Sequence, residues 1–185
     1  MGIEGAPVEL IERGGDYYRV ADPDWDDPLD SRYSMRRGGR WNAPGSFPVT
    51  YLSADLSTAR ANARRILTDQ LRGQPFGAED LDPAQLPILV VTAAPRRDYL
   101  DIISRSGVVA NGLPETYPLD RTGHLVEHDR CQSIGQAAWD AALPGVACRS
   151  AVGPGEEMAY FDHHEVLLER LAVQTFTEWY GPFDW

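Results

Sequence analysis

The chain has 185 residues, a length that fits one domain covering residues 1–185 and suffices to bury a hydrophobic core. Its formal net charge of −11 would repel phosphate backbones, so nucleic acid is not expected as the main partner. No run approaches the roughly 18 apolar residues of a membrane span, and the N-terminal segment lacks the basic start and apolar run of a secretory signal. We therefore expect a cytoplasmic protein without membrane contact.

Short runs rich in β-branched and aromatic residues predict strands, and two longer patterns predict helices. In chain order, the strands are predicted at Tyr17–Val20, Val49–Ser53, Ile88–Ala93, Val146–Arg149, Met158–Phe161 and Leu171–Phe176. The helices are predicted over 56–71 and 131–143. Asp55 is the expected N-cap of the first helix and Gly73 its stop. Because strands and helices do not alternate regularly, the pattern predicts a mixed α+β domain rather than a doubly wound parallel sheet.

The most distinctive local pattern is RRGGRWNAPG, which overlaps a locally basic stretch, residues 31–40, of an otherwise acidic protein. The paired glycines Gly38 and Gly39 would let the backbone approach a ligand closely. Arg40 offers a planar fork of donors suited to a diphosphate, and Trp41 offers a surface for stacking. The same residues fit a plain turn with an exposed arginine. The segment alone leaves both interpretations open.

The predicted strand at 49–53 leads directly into the first predicted helix. On the strand, alternation places Tyr51 on the face opposite Leu52. On the helix, Asn62 shares a face with Ala59 and Ile66, so it interrupts an apolar stripe and is expected to point inward. A buried amide needs hydrogen-bond partners, which are either nearby backbone groups or a ligand at the edge of a pocket.

Two further positions are candidates for a site. Ser150 follows a short apolar run and precedes a loop rich in Gly and Pro, where functional side chains often lie. No G-x-S-x-G pattern surrounds it, so a serine nucleophile is not expected. Arg19 lies near the end of the first predicted strand. Adjacent residues on a strand point to opposite faces, so His163-His164 is not expected to bind one ion, and we predict no metal site.

Taken together, these segments resemble the RES domain family, which is named for its Arg, Glu and Ser residues. The resemblance covers about residues 17–161 and rests on GGRWN, the strand-to-helix passage from Tyr51, CQSIGQAAWD, and CRSA followed by MAYF, in that order. It implies a split, mixed β-sheet like that of ADP-ribosyltransferases. It also implies NAD as the substrate, no metal, and an Xre-type antitoxin as protein partner.

The resemblance also assigns roles to individual residues. Arg19 and Arg40 would hold the NAD diphosphate, Tyr51 would pack on the nicotinamide or ribose, and Ser150 would bond to a ribose or phosphate oxygen. The leading prediction is a toxin-like protein that binds NAD and degrades it or transfers its ADP-ribose. Phosphate, water and a protein side chain all remain open as the acceptor.

The chain departs from the family at one position. The family's Glu is expected on the helix after the tyrosine strand, where this chain has Asn62. Cleavage of the nicotinamide–ribose bond builds positive charge on the ribose, which a carboxylate stabilises. An amide supplies no such charge, so a rate lower by roughly 10²–10³-fold is expected, unless Glu156 or Glu157 compensates. By the same reasoning, Asn62→Glu is expected to raise NAD turnover.

Two alternatives follow from this departure. The first is a catalytically silent RES-fold module that binds a nucleotide or a protein, since a pocket that has lost its carboxylate would fit such a role. The second is an enzyme whose substrate does not require the Glu. A neighbouring gene for an Xre-like protein would favour the toxin.

Overall fold

The computed structural model describes residues 8–71, 73–74, 81–163 and 168–180. Within these ranges the chain forms six strands and five helices. The strands are β1 (Leu10–Ala21), β2 (Val49–Ser53), β3 (Ile88–Ile102), β4 (Gly145–Arg149), β5 (Glu156–Phe161) and β6 (Glu169–Gln174). The helices are α1 (Arg32–Arg37), α2 (Leu56–Gln70), α3 (Arg105–Ala110), α4 (His128–Asp140) and α5 (Phe176–Trp179), with a 3₁₀ turn at Pro83–Gln85.

The strands form one mixed sheet in the order β1-β2-β5-β4-β3-β6. β3 and β4 run parallel, and the other pairs are antiparallel. The first part of β3 pairs with β6, whereas residues 100–102 pair with β4. β1 follows β3 along most of its length and meets β2 at the pair Tyr18–Ser53. The sheet thus splits into β2-β5-β4 and β1-β3-β6, which confirms the predicted mixed α+β fold with a split sheet.

The central position of β5 determines which side chains reach the candidate site. Glu157 of β5 stands opposite Ser53 of β2 and Cys148 of β4. Residues directly opposite each other in antiparallel strands share a face of the sheet, so Ser53 and Glu157 project from the same side. Tyr51 pairs with Ala159 and lies on that side too, while Leu52 packs in the core on the other side. The predicted alternation along β2 is confirmed.

Helix α2 begins as the sequence predicts. Asp55 Oδ1 accepts a hydrogen bond from the Thr58 backbone N–H at 2.8 Å, the geometry of an N-cap. Its apolar stripe is buried against residues near the start of β3 and in α5. The buried members of the stripe are Ala59, Ala63 and Leu67. The helix ends at Gln70, shortly before Gly73, whose φ of +71° suits glycine.

The last strand was predicted with the wrong bounds. The last predicted strand, Leu171–Phe176, is observed as Glu169–Gln174, and Phe176 is the first residue of α5. Thr175 and Glu178 form a reciprocal capping box that starts this helix. Two hydrogen bonds to the backbone therefore outweigh the apolar character that suggested a strand.

Other elements are longer than predicted or were not predicted. β3 continues beyond Ala93 to Ile102, because its polar middle still pairs with β1. Helix α4 begins at His128 rather than Cys131. Helices α1 and α3 contain six residues each, too few for an amphipathic repeat to be visible. Among the described residues, no helix has the length and apolar character needed to cross a membrane.

Candidate functional site

A cavity of about 630 Å³ lies between α2, the end of β1 and the loop that follows α1. This volume is in the range of pockets that hold small ligands. Four of the five predicted site residues line it: Arg19, Arg40, Tyr51 and Asn62. The fifth, Ser150, is only 1% exposed and lies behind the cavity wall.

The GGRWN loop, residues 38–42, is held in place from two sides. Tyr51 Oη accepts a hydrogen bond from the Trp41 N–H at 2.9 Å and donates to Asn42 Oδ1 at 2.7 Å. From α4, Gln132 Nε2 donates to the Gly39 carbonyl at 2.8 Å. A Cβ at Gly39 would lie 2.4 Å from Tyr51 Oη, so only glycine allows this approach. Residues from β2 and α4, which lie in separate sequence motifs, therefore hold this loop in place.

The geometry overturns the predicted role of Trp41 and adds a structural role for Tyr51. Trp41 is 1% exposed and packs in the core near Tyr117, so the expectation that it offers a stacking surface to a ligand is wrong. The hydroxyl of Tyr51 is engaged by the loop, and burial raises its pKa well above the usual tyrosine value. Tyr51 can therefore offer its ring to a ligand, while its hydroxyl stays protonated and supports the loop.

Arg19 is the most unusual group in the cavity wall. It is 6% exposed, and burial lowers the pKa of its guanidinium to about 10. Nη2 donates to the Asp30 carbonyl at 3.2 Å, and the guanidinium lies 5.4 Å from the centre of the Trp25 ring. Nη1 is buried and has no hydrogen-bond partner in the described part of the chain. A buried cationic donor without a partner is costly, and an anionic ligand would satisfy it.

A second cationic group lies on the α4 side of the cavity. Arg40 Nη1 donates to the Val126 carbonyl at 3.2 Å, which orients its guanidinium. Arg65 of α2 and His128 of α4 also line the cavity. Burial, with repulsion from Arg40 and Arg65, lowers the pKa of His128. This positive potential in a protein of net charge −11 marks the cavity as a place for an anion.

Sequence reasoning missed an aromatic surface at the same cavity. Trp25 and Tyr33 line it, with ring centroids 4.8 Å apart. Tyr33 is exposed and Trp25 half-buried, so both can contact a ligand. Trp25 lies within the acidic stretch ADPDWDDPLD, which was interpreted by its charge alone. A tryptophan so close to the candidate Arg19 was the available signal.

Asn62 is bonded to side chains rather than to backbone. Its Nδ2 donates to Glu157 Oε1 at 2.7 Å and to Ser53 Oγ at 3.3 Å. Ser150 Oγ donates to the same Glu157 oxygen at 3.0 Å and accepts from the Val152 N–H at 3.1 Å. The hydroxyl of Ser150 is thus committed to Glu157 and the loop. Glu157 itself lines the cavity.

The neighbouring carboxylate, Glu156, points elsewhere. Alternation along β5 places it on the opposite face, where both of its oxygens accept from Arg13 at 3.0 and 3.2 Å. Of the two glutamates that the sequence left open as compensating carboxylates, only Glu157 stands in the cavity wall.

Comparison with known proteins identifies the family. The RES domain model matches residues 16–181. Proteins named NAD(+) phosphorylase MbcT, from Mycobacterium bovis and Mycobacterium tuberculosis, are 27% identical over 136 residues, a match that spans 70% of this chain and 64% of their length. The fold also resembles a chain of the M. tuberculosis MbcT–MbcA toxin–antitoxin complex, with a TM-score of 0.74, 21% identity, and coverage of 92% of this chain and 91% of that one. The match over 16–181 covers most of the sequence, and the chain belongs to the RES domain family.

Proposed function

We propose that this chain is an NAD-consuming protein of the toxin type, which binds NAD in the cavity and cleaves its nicotinamide–ribose bond. The observation that carries the proposal is the pairing, in one cavity, of a buried guanidinium with an unsatisfied donor and a carboxylate fixed by two hydrogen bonds. NAD carries a diphosphate anion and, after bond cleavage, a cationic ribose carbon. The cavity offers a complementary group to each.

The wall suggests an orientation for the dinucleotide. Arg19 and Arg40 hold the diphosphate, with Arg19 Nη1 as an available donor. The Trp25–Tyr33 surface stacks on the adenine, because a purine face packs well on aromatic rings. The ring of Tyr51 packs on the nicotinamide or its ribose. Ser150 has a changed role in this proposal: it orients Glu157 instead of bonding to the ligand.

The acceptor of the ADP-ribose unit is proposed from the relatives. The curated relatives are named NAD(+) phosphorylases, and the match spans 64% of their length. We therefore take phosphate as the acceptor, with water as its competitor. The product with phosphate would be ADP-ribose 1-phosphate.

An antitoxin is the proposed protein partner. The structural neighbour was solved as a toxin–antitoxin complex. In this chain, α1 carries the exposed Arg36 and Arg37 and leads into Gly38 at the cavity wall. We propose that an Xre-type antitoxin covers this basic segment and closes the entrance, since charge complementarity steers association.

A silent binding module remains the second candidate, and Asn62 is the observation that favours it. Both candidates share the ligand and differ in turnover. A module of this kind would be stabilised by NAD and would leave it intact.

Ligand binding tests the proposal directly. NAD binds only the folded state, so it should raise the melting temperature by an amount that grows with the logarithm of its concentration over Kd. Arg40→Ala should remove that rise and leave the unliganded protein folded, because Arg40 is half-buried and its described partners are the Val126 carbonyl and the Cys131 thiol. Arg37→Ala, an exposed arginine outside the cavity wall, is the matched control. An equal NAD shift in the Arg40 and Arg37 variants would overturn the assigned role.

A further inference from the structure

We propose that Glu157 is the catalytic carboxylate of this protein and that Asn62 and Ser150 are the residues that position it. The inference rests on the proposed function and deepens it: the negative charge is supplied from strand β5 instead of helix α2. It turns the asparagine at position 62 from a defect into part of the site.

The first support is the geometry around Glu157. A carboxylate can only accept hydrogen bonds, so the amide of Asn62 must present its NH₂ group, and it does so at 2.7 Å from Oε1. Ser150 Oγ donates to the same oxygen at 3.0 Å. The other oxygen, Oε2, accepts no hydrogen bond from any residue that the structure describes. One oxygen is anchored, and the other is available to a ligand in the cavity.

The second support is the charge balance of the wall. Glu157 has no cationic partner among the described residues, whereas its neighbour Glu156 is paired with Arg13. Of the described lining residues, Glu157 and Asp22 carry carboxylates, and Asp22 lies on the exposed side with Trp25. Glu157 is therefore the carboxylate on the inner wall, beside Tyr51 and Asn62.

The third support is rigidity. Glu157 stands on a strand that is paired on both sides, with Ser53 and Cys148 as its neighbours. A group on such an element is held more precisely than one on a loop. Gly155 fixes the approach of the preceding loop to α2, since a Cβ there would lie 1.8 Å from Thr58 Oγ1.

The carboxylate of Glu157 serves cleavage of the bond between nicotinamide and ribose. The bond between the ribose C1′ and the nicotinamide nitrogen breaks, and its electron pair leaves with nicotinamide, which becomes neutral. An oxygen of phosphate or water forms the new bond to C1′, and with water the surplus proton goes to solvent. Glu157 remains ionised and stabilises the positive charge that builds on the ribose, as carboxylates do in glycoside cleavage.

The contact between positions 62 and 157 reverses the expectation for Asn62→Glu. In the sequence alone this change restores a missing carboxylate and raises turnover. In the structure it places a second carboxylate against Glu157, and like charges in one site repel. We therefore expect Asn62→Glu alone to lower turnover, and the double variant Asn62→Glu/Glu157→Gln to recover it, because the charge then sits on the other side of the same contact.

The experiment measures binding by NAD-dependent thermal shift and turnover by nicotinamide release at saturating NAD, on the wild type and four variants. Glu157→Gln keeps an acceptor for Asn62 and Ser150, so it should bind NAD as the wild type does and lose roughly 10²–10³-fold in kcat. Glu156→Gln removes the same charge from the other face of β5 and should keep wild-type turnover. Asn62→Glu should lose turnover, and the double variant should return to within about tenfold of the wild type, an order-of-magnitude expectation for a displaced electrostatic group.

The outcomes separate this inference from the proposed function. Wild-type kcat in Glu157→Gln, or a gain of turnover in Asn62→Glu alone, overturns the assignment of Glu157 and leaves NAD cleavage intact. If the wild type binds NAD without releasing nicotinamide, both the assignment of Glu157 and the proposed NAD cleavage are overturned. The silent binding module is then the function that the data support. Loss of kcat in Glu157→Gln with unchanged NAD binding, and recovery in the double variant, supports the assignment of Glu157.

Discussion

Replacing Arg19 with Met separates a ligand-binding arginine from a structural one. Burial lowers the pKa of Arg19 to about 10, well below the usual arginine value, a destabilisation of roughly 3–4 kcal/mol at about 1.4 kcal/mol per unit. Because the folded-state pKa is the lower one, this cost is present at neutral pH and declines only as the pH rises above about 10. The hydrogen bond to the Asp30 carbonyl and the contact with Trp25 offset about 2 kcal/mol of it.

Arg19→Met should therefore leave the unliganded protein as stable as the wild type, or more stable by about 1 kcal/mol, which is roughly 2–4 °C in Tm for a chain of this size. At an NAD concentration of 100 times Kd the wild type gains about 2.7 kcal/mol, and the variant should lose most of that gain. Arg37→Met controls for the loss of an arginine outside the cavity wall.

Melting curves of the wild type and Arg19→Met, with and without NAD, distinguish a ligand-binding Arg19 from a structural one. A structural buried arginine would cost about 3–5 kcal/mol when removed, so a fall in Tm of ten degrees in the unliganded variant would refute the reasoning. An NAD-induced rise in Tm as large in Arg19→Met as in the wild type would refute the role of Arg19 in binding the ligand.

Three further predictions test separate parts of the account. Trp25→Ala should weaken NAD binding about tenfold or more through lost stacking on the adenine and change binding of nicotinamide mononucleotide little; equal losses for both ligands would contradict the orientation. Asp55→Ala should lower the free energy of unfolding in urea by about 1 kcal/mol, because the N-cap bond to Thr58 is lost, with NAD affinity unchanged; wild-type stability would argue against the cap. Burial and repulsion from Arg40 lower the pKa of His128, so the folded state binds fewer protons than the unfolded state, and the free energy of unfolding should decline as the pH falls through 6.5. His128→Gln should flatten that decline, and an unchanged pH dependence in the variant would contradict the prediction.

The parts of the fold that sequence predicted are those specified locally. Strand β2 has its predicted bounds, and Asp55 caps α2, because both depend on alternation and on a cap within a few residues. The extension of β3 past Ala93 depends instead on pairing with β1, a partner far away in the chain. The start of α5 at Phe176 had a local signal in its capping box, which the apolar run before it outweighed in our prediction.

The site divides in the same way. Arg19, Arg40, Tyr51 and Asn62 were found by local patterns and family resemblance, and the cavity brings them together. The sequence raised Glu156 and Glu157 as compensating carboxylates but could not choose between them, because the contact of Glu157 with Asn62 joins residues 95 positions apart and only the folded sheet brings them within 2.7 Å. Nor does sequence reveal that a tryptophan next to a promising arginine is buried, as Trp41 is.

Release of nicotinamide from NAD is the measurement that tests the central claim most directly. Purified protein is incubated with saturating NAD, with and without phosphate, and the products are separated and identified by mass spectrometry. The account predicts nicotinamide release that phosphate accelerates, ADP-ribose 1-phosphate as the product with phosphate, and loss of both in Arg40→Ala. NAD recovered intact after incubation with a correctly folded, NAD-binding wild-type protein would contradict it.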